Sequence, residues 1–476
     1  APPDALVLAG WHQVTPLWYL QIVDGLRPDV TITYVYPEGA TPNAEVWLRR
    51  IREALPTRAV VVTHRFHAFD DAGLWFTPLA SGWLVTATPA ASSTGVGEPF
   101  GDPSSDLLRL ADWRLSTTTA APGDTLTLDL TLAADVAPQD DYTVFAQVLG
   151  PNGVVAQDDR LVPTARLAAG QALSARLEPT LLLHCAPGDY TLVIGLYHSL
   201  EGQLVRLATS SGDTLSLGTI HVLPRATAIA SGHPTDRRWA NGLRLIGLDT
   251  DHSVPEQTRL YLHLQASQPL GGEDVLVLSS GGTELARAAV PALPGGSQAL
   301  VALDVPAGVN EVALAVLSGQ ESVPLLGPWA RRAGRSLPLD LSALGERYVP
   351  LGGEMALTGW AAACDGAECA LTAELLTLRP LTRDYSLSLG VRGAQEVKSD
   401  GTPITGGVPT LKWLRGWRLA DQRTIAAPEG LDTATGVFTV YDAFTLRTLP
   451  VLDERLAQRG QGTELLLPVK VASPAP

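Results

Sequence analysis

Lysine is almost missing from this chain, and most of its charge is negative. Among 476 residues the only lysines are Lys398, Lys412 and Lys470, and the formal net charge is −15. A protein that binds nucleic acid needs a basic face for the phosphates, and an electrostatic membrane anchor needs clustered cations. The composition therefore argues against a nucleic-acid partner and against a polybasic anchor.

Long apolar runs are lacking as well. None approaches the roughly 18 residues that indicate a membrane-spanning helix, and no signal peptide is recognisable. The single methionine is Met355, and the chain starts at Ala1. We therefore expect no membrane span in this chain. We also expect that a leader was removed or that the chain is part of a longer polypeptide.

Cysteine is scarce, with three in the chain. Cys364 and Cys369 bracket the polar turn CDGAEC between two strand-like runs, and Asp-Gly is a strong hairpin pair. The pattern predicts a hairpin closed by a disulfide, with Cα atoms about 5.5 Å apart, in an oxidising, extracytoplasmic setting. The alternatives are two unrelated thiols or, less favoured because no second Cys or His pair lies nearby, a metal site. We predict no metal and a buried free thiol at Cys185.

Glycine and proline are abundant, at 45 and 36 residues, which indicates many turns and a mainly β chain. Only residues 1–90 alternate strands with helices. Apolar runs predict strands at 5–9, 30–36 and 59–63. Thr15 and Pro16 predict the start of the first helix. Short strands with helical crossovers predict a small, Rossmann-like α/β domain.

The remaining residues have the two-residue periodicity of strands. We predict a linker at 91–105, a β-sandwich at 106–224, a linker at 225–238, a divergent sandwich at 239–340 and a further sandwich at 341–476. Residues 138–159 match 381–401, each with Asp-Tyr, an alternating strand, a turn and a short strand. The last sandwich is therefore interpreted as a repeat of the first, and all three are predicted to be Ig-like.

The candidate site lies in the α/β domain, because ligands of open α/β sheets bind at the carboxyl ends of the strands. The polar and aromatic residues at these ends are Trp11, His12, Gln13, Tyr36, Glu38, His64, Arg65 and His67. We take Trp11, His12, Glu38, His64 and His67 as ligand-binding candidates. His12 and His64 are expected within hydrogen-bond reach, as an acid–base or carbohydrate-contacting edge. The alternative is a solvated sheet edge with capping side chains.

Motifs for other chemistry are missing from the sequence. It contains no glycine-rich phosphate loop, nucleophile elbow, His-Glu-x-x-His or calcium loop. The bulk of Trp11 also disfavours close approach of the backbone to a pyrophosphate. Gln-Asp-Asp at 139–141 and 157–159 offers oxygen ligands for calcium, but Asp at hairpin ends is better explained by turns. We predict no cofactor and no catalytic residue.

The segments ALVLAGWHQVTPLWYLQIVDGLRPDVTITYVYP, WLRRIREAL, VVVTHR and GLWFTPLASGWLV resemble the soluble tail of bacterial GT-C class glycosyltransferases, which are similar to protein O-mannosyltransferases. PGDTLTLDLTL, DYTVFAQVLGPNGVVAQDD and PGDYTLVIGLY resemble β-sandwich modules appended to such tails. The resemblance covers most of the chain apart from the middle block. It implies a small extracytoplasmic α/β domain after the last membrane helix. The catalytic acids and lipid-sugar site of that family lie in its membrane part, so no catalytic residue carries over.

The sequence thus predicts a non-catalytic extracytoplasmic, cell-surface or secreted protein with a structural, spacer or interaction role, including the processed tail of a membrane glycosyltransferase. Its partners would be proteins, further copies of the chain, or a glycan. One alternative is a carbohydrate-binding or glycosyltransferase-associated subunit that uses the α/β crevice. Another is a filament or surface-layer subunit built of sandwiches in a row.

Overall fold

The computed structural model describes residues 1–69, 72–79, 82–88, 90–91, 97–101, 108–200, 203–327, 330, 334–365 and 367–471. Strands hold 52% of the chain and helices 10%, so the protein is mainly β. The described residues form seven sheets. One belongs to an N-terminal unit, and the other six lie in pairs that share apolar cores.

The N-terminal unit is a five-stranded sheet with two helices. Its elements are β1 (Leu6–Ala9), α1 (Trp11–Ile22), β2 (Thr31–Tyr34), α2 (Asn43–Ala54), β3 (Val60–Val62), β4 (Trp75–Leu79) and β5 (Gly82–Thr86). The strand order is β2-β1-β3-β5-β4; β1 pairs parallel with β2 and β3, and β5 pairs antiparallel with β3 and β4. β1 and β3 are buried along their whole length, which explains their unbroken apolar sequences. Helix α2 buries Trp47 and Ile51 against this sheet.

Two predictions for this unit need correction. A doubly wound sheet continues with parallel strands joined by helices, whereas here the chain returns beside β3 as the antiparallel pair β4 and β5. The Rossmann-like assignment is therefore not supported. Helix α1 also begins at Trp11, with Pro16 inside it, and not at Thr15. The Thr15 hydroxyl instead donates to the carbonyl of Trp11 at 3.1 Å, so it caps nothing.

The first sandwich follows. Its strands are β6 (Ala90–Ala91), β7 (Glu98–Phe100), β8 (Leu108–Leu115), β9 (Thr119–Ala120), β10 (Leu128–Ala134), β11 (Tyr142–Gly150), β12 (Gly153–Val162), β13 (Gln171–Leu177), β14 (Gly188–Leu200), β15 (Gln203–Arg206) and β16 (Leu215–Val222). One sheet has the order β6-β13-β10-β8-β7 and the other β12-β11-β14-β16-β9, with β15 on β14. Leu130 of the first sheet and Val144 of the second belong to one buried core.

The second sandwich is built in the same way. Its strands are β17 (His233–Trp239), β18 (Leu243–Val254), β19 (Gln257–Ala266), β20 (Asp274–Ser280), β21 (Thr283–Ala289), β22 (Gln298–Pro306), β23 (Glu311–Ser318), β24 (Glu321–Ser322), β25 (Leu325–Leu326) and β26 (Ser336–Asp340). The sheet β22-β19-β18-β17-β25 packs on β21-β20-β23-β24, with β26 on β23. Leu262 and Leu278, from the two sheets, share its core.

The third sandwich completes the chain. Its elements are β27 (Val349–Leu351), β28 (Met355–Cys364), β29 (Glu368–Thr377), β30 (Tyr385–Arg392), β31 (Glu396–Gly401), β32 (Arg418–Ala426), β33 (Thr435–Asp442), the short helix α3 (Glu454–Ala457), β34 (Leu465–Leu467) and β35 (Lys470–Val471). The sheets are β27-β28-β29-β32, with β35 on β28, and β31-β30-β33-β34. Leu371 and Leu389 join them in one core.

Parts of both predicted linkers form strands of the sandwiches. In 91–105, Glu98–Phe100 pairs with β8, while residues 92–96 and 102–105 lie outside the described part. In 225–238, strand β17 pairs with β18. Most side chains of β17 are exposed or half-buried, so its polar sequence, HPTDRRW, lacks the apolar alternation by which strands are recognised.

The matching segments of the first and third sandwiches hold their corners with the same hydrogen bonds. The backbone N–H of Tyr142 donates to the hydroxyl of Thr164 at 2.9 Å, and that of Tyr385 donates to Thr410 at 2.7 Å. The aspartate before each tyrosine accepts the backbone N–H of the residue after each threonine, at 3.0 and 3.1 Å. Asp-Tyr and Pro-Thr thus form one corner clip that both sandwiches use. The sequence comparison found only the Asp-Tyr half.

Cys364 and Cys369 face each other across the β28–β29 hairpin and form a disulfide. Their Cα atoms are 4.0 Å apart, closer than the expected 5.5 Å. Cys185 is a buried free thiol, and burial raises its pKa to about 11.

A buried ion network joins the second and third sandwiches. Arg455, at α3, donates to both carboxylate oxygens of Asp453, at 3.0 and 2.6 Å, and to Asp251 at 2.8 Å. Arg259 reaches the same Asp453 at 3.3 Å and binds Asp304 through two bonds of 2.7 Å. Asp251 and Asp453 are fully buried, so each depends on these arginines for its compensating charge.

Candidate functional site

A cavity of about 810 Å³ lies at the carboxyl ends of β1 and β3, where the N-terminal unit meets the first and third sandwiches. Trp11 and His64 line it from the N-terminal unit, Arg160 and Arg176 from the first sandwich, and Arg383 from the third. Its volume falls within the range typical of small-molecule sites. We call this cavity the cleft.

The N-terminal wall depends on a glycine between β1 and α1. A Cβ atom on Gly10 would lie 3.1 Å from Cε1 of His64 and 3.2 Å from the side-chain oxygen of Gln13, which is tighter than ordinary contact. Glycine at this turn therefore lets the imidazole lie against the first turn of the helix. Nδ1 of His64 is 2.9 Å from the hydroxyl of Thr63, which fixes the orientation of the ring.

Phe444 of the third sandwich inserts into the aromatic part of this wall. Its ring centroid lies 4.6 Å from that of His64 and 5.1 Å from that of Phe66. It also makes an edge contact with Trp47, and it packs against the core of the N-terminal unit. The ring of Phe444 thus packs both against the cleft wall and against the core of the N-terminal unit. The geometry of the cleft therefore depends on contact between segments almost 380 residues apart.

Three aromatic rings stand in a row beside the cleft. The rings of Trp11 and Tyr34 meet edge to face at 5.4 Å, and those of Tyr34 and Tyr36 are 6.1 Å apart. Trp11 is 57% exposed and Tyr36 52% exposed. We call these three residues the aromatic row. Large exposed aromatic faces next to a cavity offer a flat apolar surface to a ligand.

The opposite wall is formed largely by arginines. Arg176 binds Asp129 through two bonds of 2.7 Å, and its guanidinium lies 4.2 Å from the ring centroid of Trp83. The indole N–H of Trp83 is buried and has no hydrogen-bond acceptor among the described residues. A buried donor without an acceptor is costly, so a ligand oxygen at this point would be favourable.

Arg447 lies at the centre of this wall. It contacts Glu178, and its Nη2 donates to Asp158 at 3.1 Å. Burial lowers the pKa of Arg447 to about 10; Asp158 opposes this shift, while the nearby cations Arg160 and Arg176 add to it. Arg160 and Arg176 are therefore close enough to repel Arg447.

The structure brings together some of the predicted site residues. Trp11, Gln13, His64 and Arg65 line the cleft. Glu38 does not; its carboxylate binds Arg50 at 3.1 Å and also Arg49, both on α2, and the bond from Arg49 lowers its pKa. The side chains of His12 and His67 lie outside the described part of the structure.

The arginines of the two sandwiches were missed by the sequence analysis. Arg160 lies near the end of a largely exposed strand and Arg383 precedes an Asp-Tyr corner, so neither has a local signal for a binding site. The only sequence feature that pointed to this part of the cleft was the repeat. Asp384, in the corner clip of the third sandwich, lines the cleft, whereas its counterpart Asp141, in the corner clip of the first sandwich, does not.

Within the described ranges, no three metal-ligating side chains converge. Nor does any helix in those ranges have the length and apolar character needed to cross a membrane.

No protein-family model matches the chain, and no curated protein matches it. Among solved structures, a DUF4785 family protein from Legionella pneumophila subsp. pneumophila str. Philadelphia 1 is similar at 12% identity with a TM-score of 0.17, over 48% of this chain and 56% of that one. Alpha-2-macroglobulin of E. coli is similar at 9% identity and a TM-score of 0.15, over 84% of this chain and 25% of that one. A mutant of Salmonella alpha-2-macroglobulin is similar at 11% identity and a TM-score of 0.16, over 79% of this chain and 25% of that one. The chain thus spans about half the length of the first protein and a quarter of the other two. These TM-scores are too low to carry an argument.

Proposed function

We propose that this chain is a non-catalytic, extracytoplasmic carbohydrate-binding protein. The observation that carries the proposal is the cleft, where three separate parts of the chain place side chains around one open cavity of about 810 Å³. A cavity of that size accommodates a few sugar rings and leaves room for the water that surrounds them.

The chemistry of the walls suits a sugar. The apolar faces of sugar rings pack on exposed aromatic side chains, which Trp11 and Tyr36 supply. Hydroxyl groups need donors and acceptors in fixed positions, which His64, Gln13 and the arginines supply on the other sides. The resemblance of the N-terminal segments to the tails of GT-C glycosyltransferases agrees with a glycan ligand.

The carboxylates of the cleft support a binding role more than a catalytic one. Asp442 accepts the backbone N–H groups of Phe444 and Thr445, both at 2.8 Å. Asp384 accepts the Thr410 hydroxyl at 3.2 Å as part of a corner clip. Hydrolysis of a glycosidic bond uses a pair of carboxyl groups available for proton transfer and attack. Here the carboxylates hold turns instead.

The rest of the chain supports an exterior location and a display role. A disulfide-closed hairpin is stable in oxidising compartments, such as the periplasm or the cell surface. We propose that the three sandwiches are Ig-like modules, of which the first and the third also build walls of the cleft. Their edge strands would offer pairing surfaces to protein partners.

The test is a glycan-array screen followed by calorimetric titration of the best ligand. We expect specific binding that Trp11→Ala weakens strongly, because it removes the most exposed ring at the cleft. Trp417→Ala is the matched control; Trp417 is 39% exposed but belongs to the third sandwich and does not line the cleft. Far-ultraviolet circular dichroism would verify that both variants fold. Binding of no glycan, or equal losses in both variants, would refute the proposal.

A further inference from the structure

The cleft is basic although the chain is acidic. Its lining contains five arginines, Arg65, Arg160, Arg176, Arg383 and Arg447, against three carboxylates, Glu178, Asp384 and Asp442. The whole chain has a net charge of −15. Cations gathered at one place in an acidic protein attract anions to that place.

Carboxylates outside the lining also pair with these cations, Asp129 with Arg176 and Asp158 with Arg447, whereas Arg383 keeps an exposed guanidinium. Asp384 and Asp442 hold backbone turns, and Glu178 is paired with Arg447. Arg383 has one charged partner among the described residues, Asp442, at 3.5 Å, and its side chain is 51% exposed. Most N–H groups of this guanidinium therefore remain available to a ligand.

The aromatic row extends the cleft in one direction. Ring centroids 5.4 and 6.1 Å apart carry the apolar surface from Trp11 through Tyr34 to Tyr36. The row therefore presents more than one ring to a ligand longer than a single sugar. A chain of sugars could therefore contact the arginines at one end and the row at the other.

We propose that the ligand is an acidic oligosaccharide, with a sugar carboxylate held by Arg383 in the cleft and the following rings stacked on the aromatic row. A guanidinium binds a carboxylate through two parallel N–H···O bonds, which gives orientation as well as affinity. The repulsion of Arg447 by Arg160 and Arg176 favours the same occupant, since an anion would reduce it. This inference rests on the proposed function and specifies its ligand class.

The experiment uses pairs of ligands that differ only in charge. Oligosaccharides of galacturonate, glucuronate and mannuronate, as single sugars and as tetramers, are titrated against the full chain beside their methyl esters. At least one free acid should bind about tenfold more tightly than its ester, the difference expected for a charged hydrogen bond. Raising the salt concentration should reduce this difference.

Variants test which residues produce the preference for the free acid over its ester. Arg383→Gln should remove the preference for the acid over the ester. Arg335→Gln, the same change at an exposed arginine of the second sandwich, should leave the preference intact. Tyr36→Ala should weaken the tetramer but not the single sugar, because Tyr36 lies at the outer end of the aromatic row.

The outcomes separate this inference from the proposed function. If acids and esters bind equally, or if only neutral glycans bind, the acidic ligand is wrong while the carbohydrate-binding proposal stands. If Arg383→Gln keeps the full preference for the acid, the assigned anchor is wrong. If no carbohydrate of any kind binds, both proposals fail.

Discussion

Replacement of Arg455 by methionine should destabilise the protein strongly, because it removes the cation between two fully buried carboxylates. Asp453 would keep Arg259, whose Nη1 lies 3.3 Å from it. Within hydrogen-bond distance Asp251 would keep only neutral groups, the hydroxyl of Ser253 at 2.6 Å and its backbone N–H at 3.2 Å, with Arg347 as a cation beyond them. The substitution thus leaves one buried carboxylate without its charge partner.

The size of the effect follows from that single charge. Removal of one member of a buried ion pair costs about 3 to 5 kcal/mol of the free energy of unfolding. The contact of Arg455 with Asp304 at 3.4 Å adds little, because the Asp304 side chain is 33% exposed and retains Arg259. Methionine has a similar length and no charge, so the loss of packing volume is small.

The loss should depend on pH in a defined direction. Burial raises the pKa of Asp251 even with Arg455 beside it. A carboxyl group with a raised folded-state pKa contributes stability below its unfolded pKa of about 3.9, and this is lost as pH rises through the folded value. Arg455→Met raises that folded value further. The variant should therefore be weakest near neutral pH and approach the wild type as the solution is acidified.

Urea unfolding followed by tryptophan fluorescence, at about pH 7 and about pH 4.5, measures the loss of unfolding free energy and its dependence on pH. Arg459→Met is the control: Arg459 is 45% exposed and binds the exposed Glu256 at 2.6 Å, a pair worth about 0 to 1 kcal/mol. Equal losses in the two variants, or a loss for Arg455→Met that does not change with pH, would refute the reasoning.

Two further predictions concern the thiols and the cleft. Unfolding without reduction should expose one alkylatable thiol, Cys185, which resists iodoacetamide in the folded protein because burial raises its pKa to about 11. Three adducts in the intact mass before reduction would rule out the disulfide. Phe444→Ala should lower the free energy of unfolding by about 3 kcal/mol, since it opens a void against the N-terminal core, while Leu446→Ala on the same turn, 46% exposed, should change thermal unfolding little.

The strands were largely predictable from local pattern. In β10 every second residue from Leu128 to Leu132 is buried, as the alternating sequence LDLTL indicates. The Cys364–Cys369 hairpin followed from a short polar turn between two apolar runs. Strand β17 was not predicted because few of its side chains are buried, and the apolar periodicity of a strand arises only from buried side chains.

The start of α1 shows where local rules compete. Thr before Pro is a strong signal for a helix start, and it placed the first turn at Thr15. The structure starts the helix four residues earlier, immediately after β1, where Trp11 packs on Tyr34. This contact joins α1 to β2, which lies further along the chain, so no signal around Thr15 could include it.

The sequence by itself determined the mainly β character of this protein, the Asp-Tyr half of its repeated corner and the edge of the first sheet at which Trp11 and His64 lie. Each depends on residues close together in the chain, or on a rule that holds for any parallel sheet. Only the tertiary structure decided what faces that edge. Arg160, Arg383 and Phe444 reach it from two sandwiches far along the chain. Their positions follow from how whole sandwiches pack, which is a sum over distant side-chain contacts that no local pattern encodes.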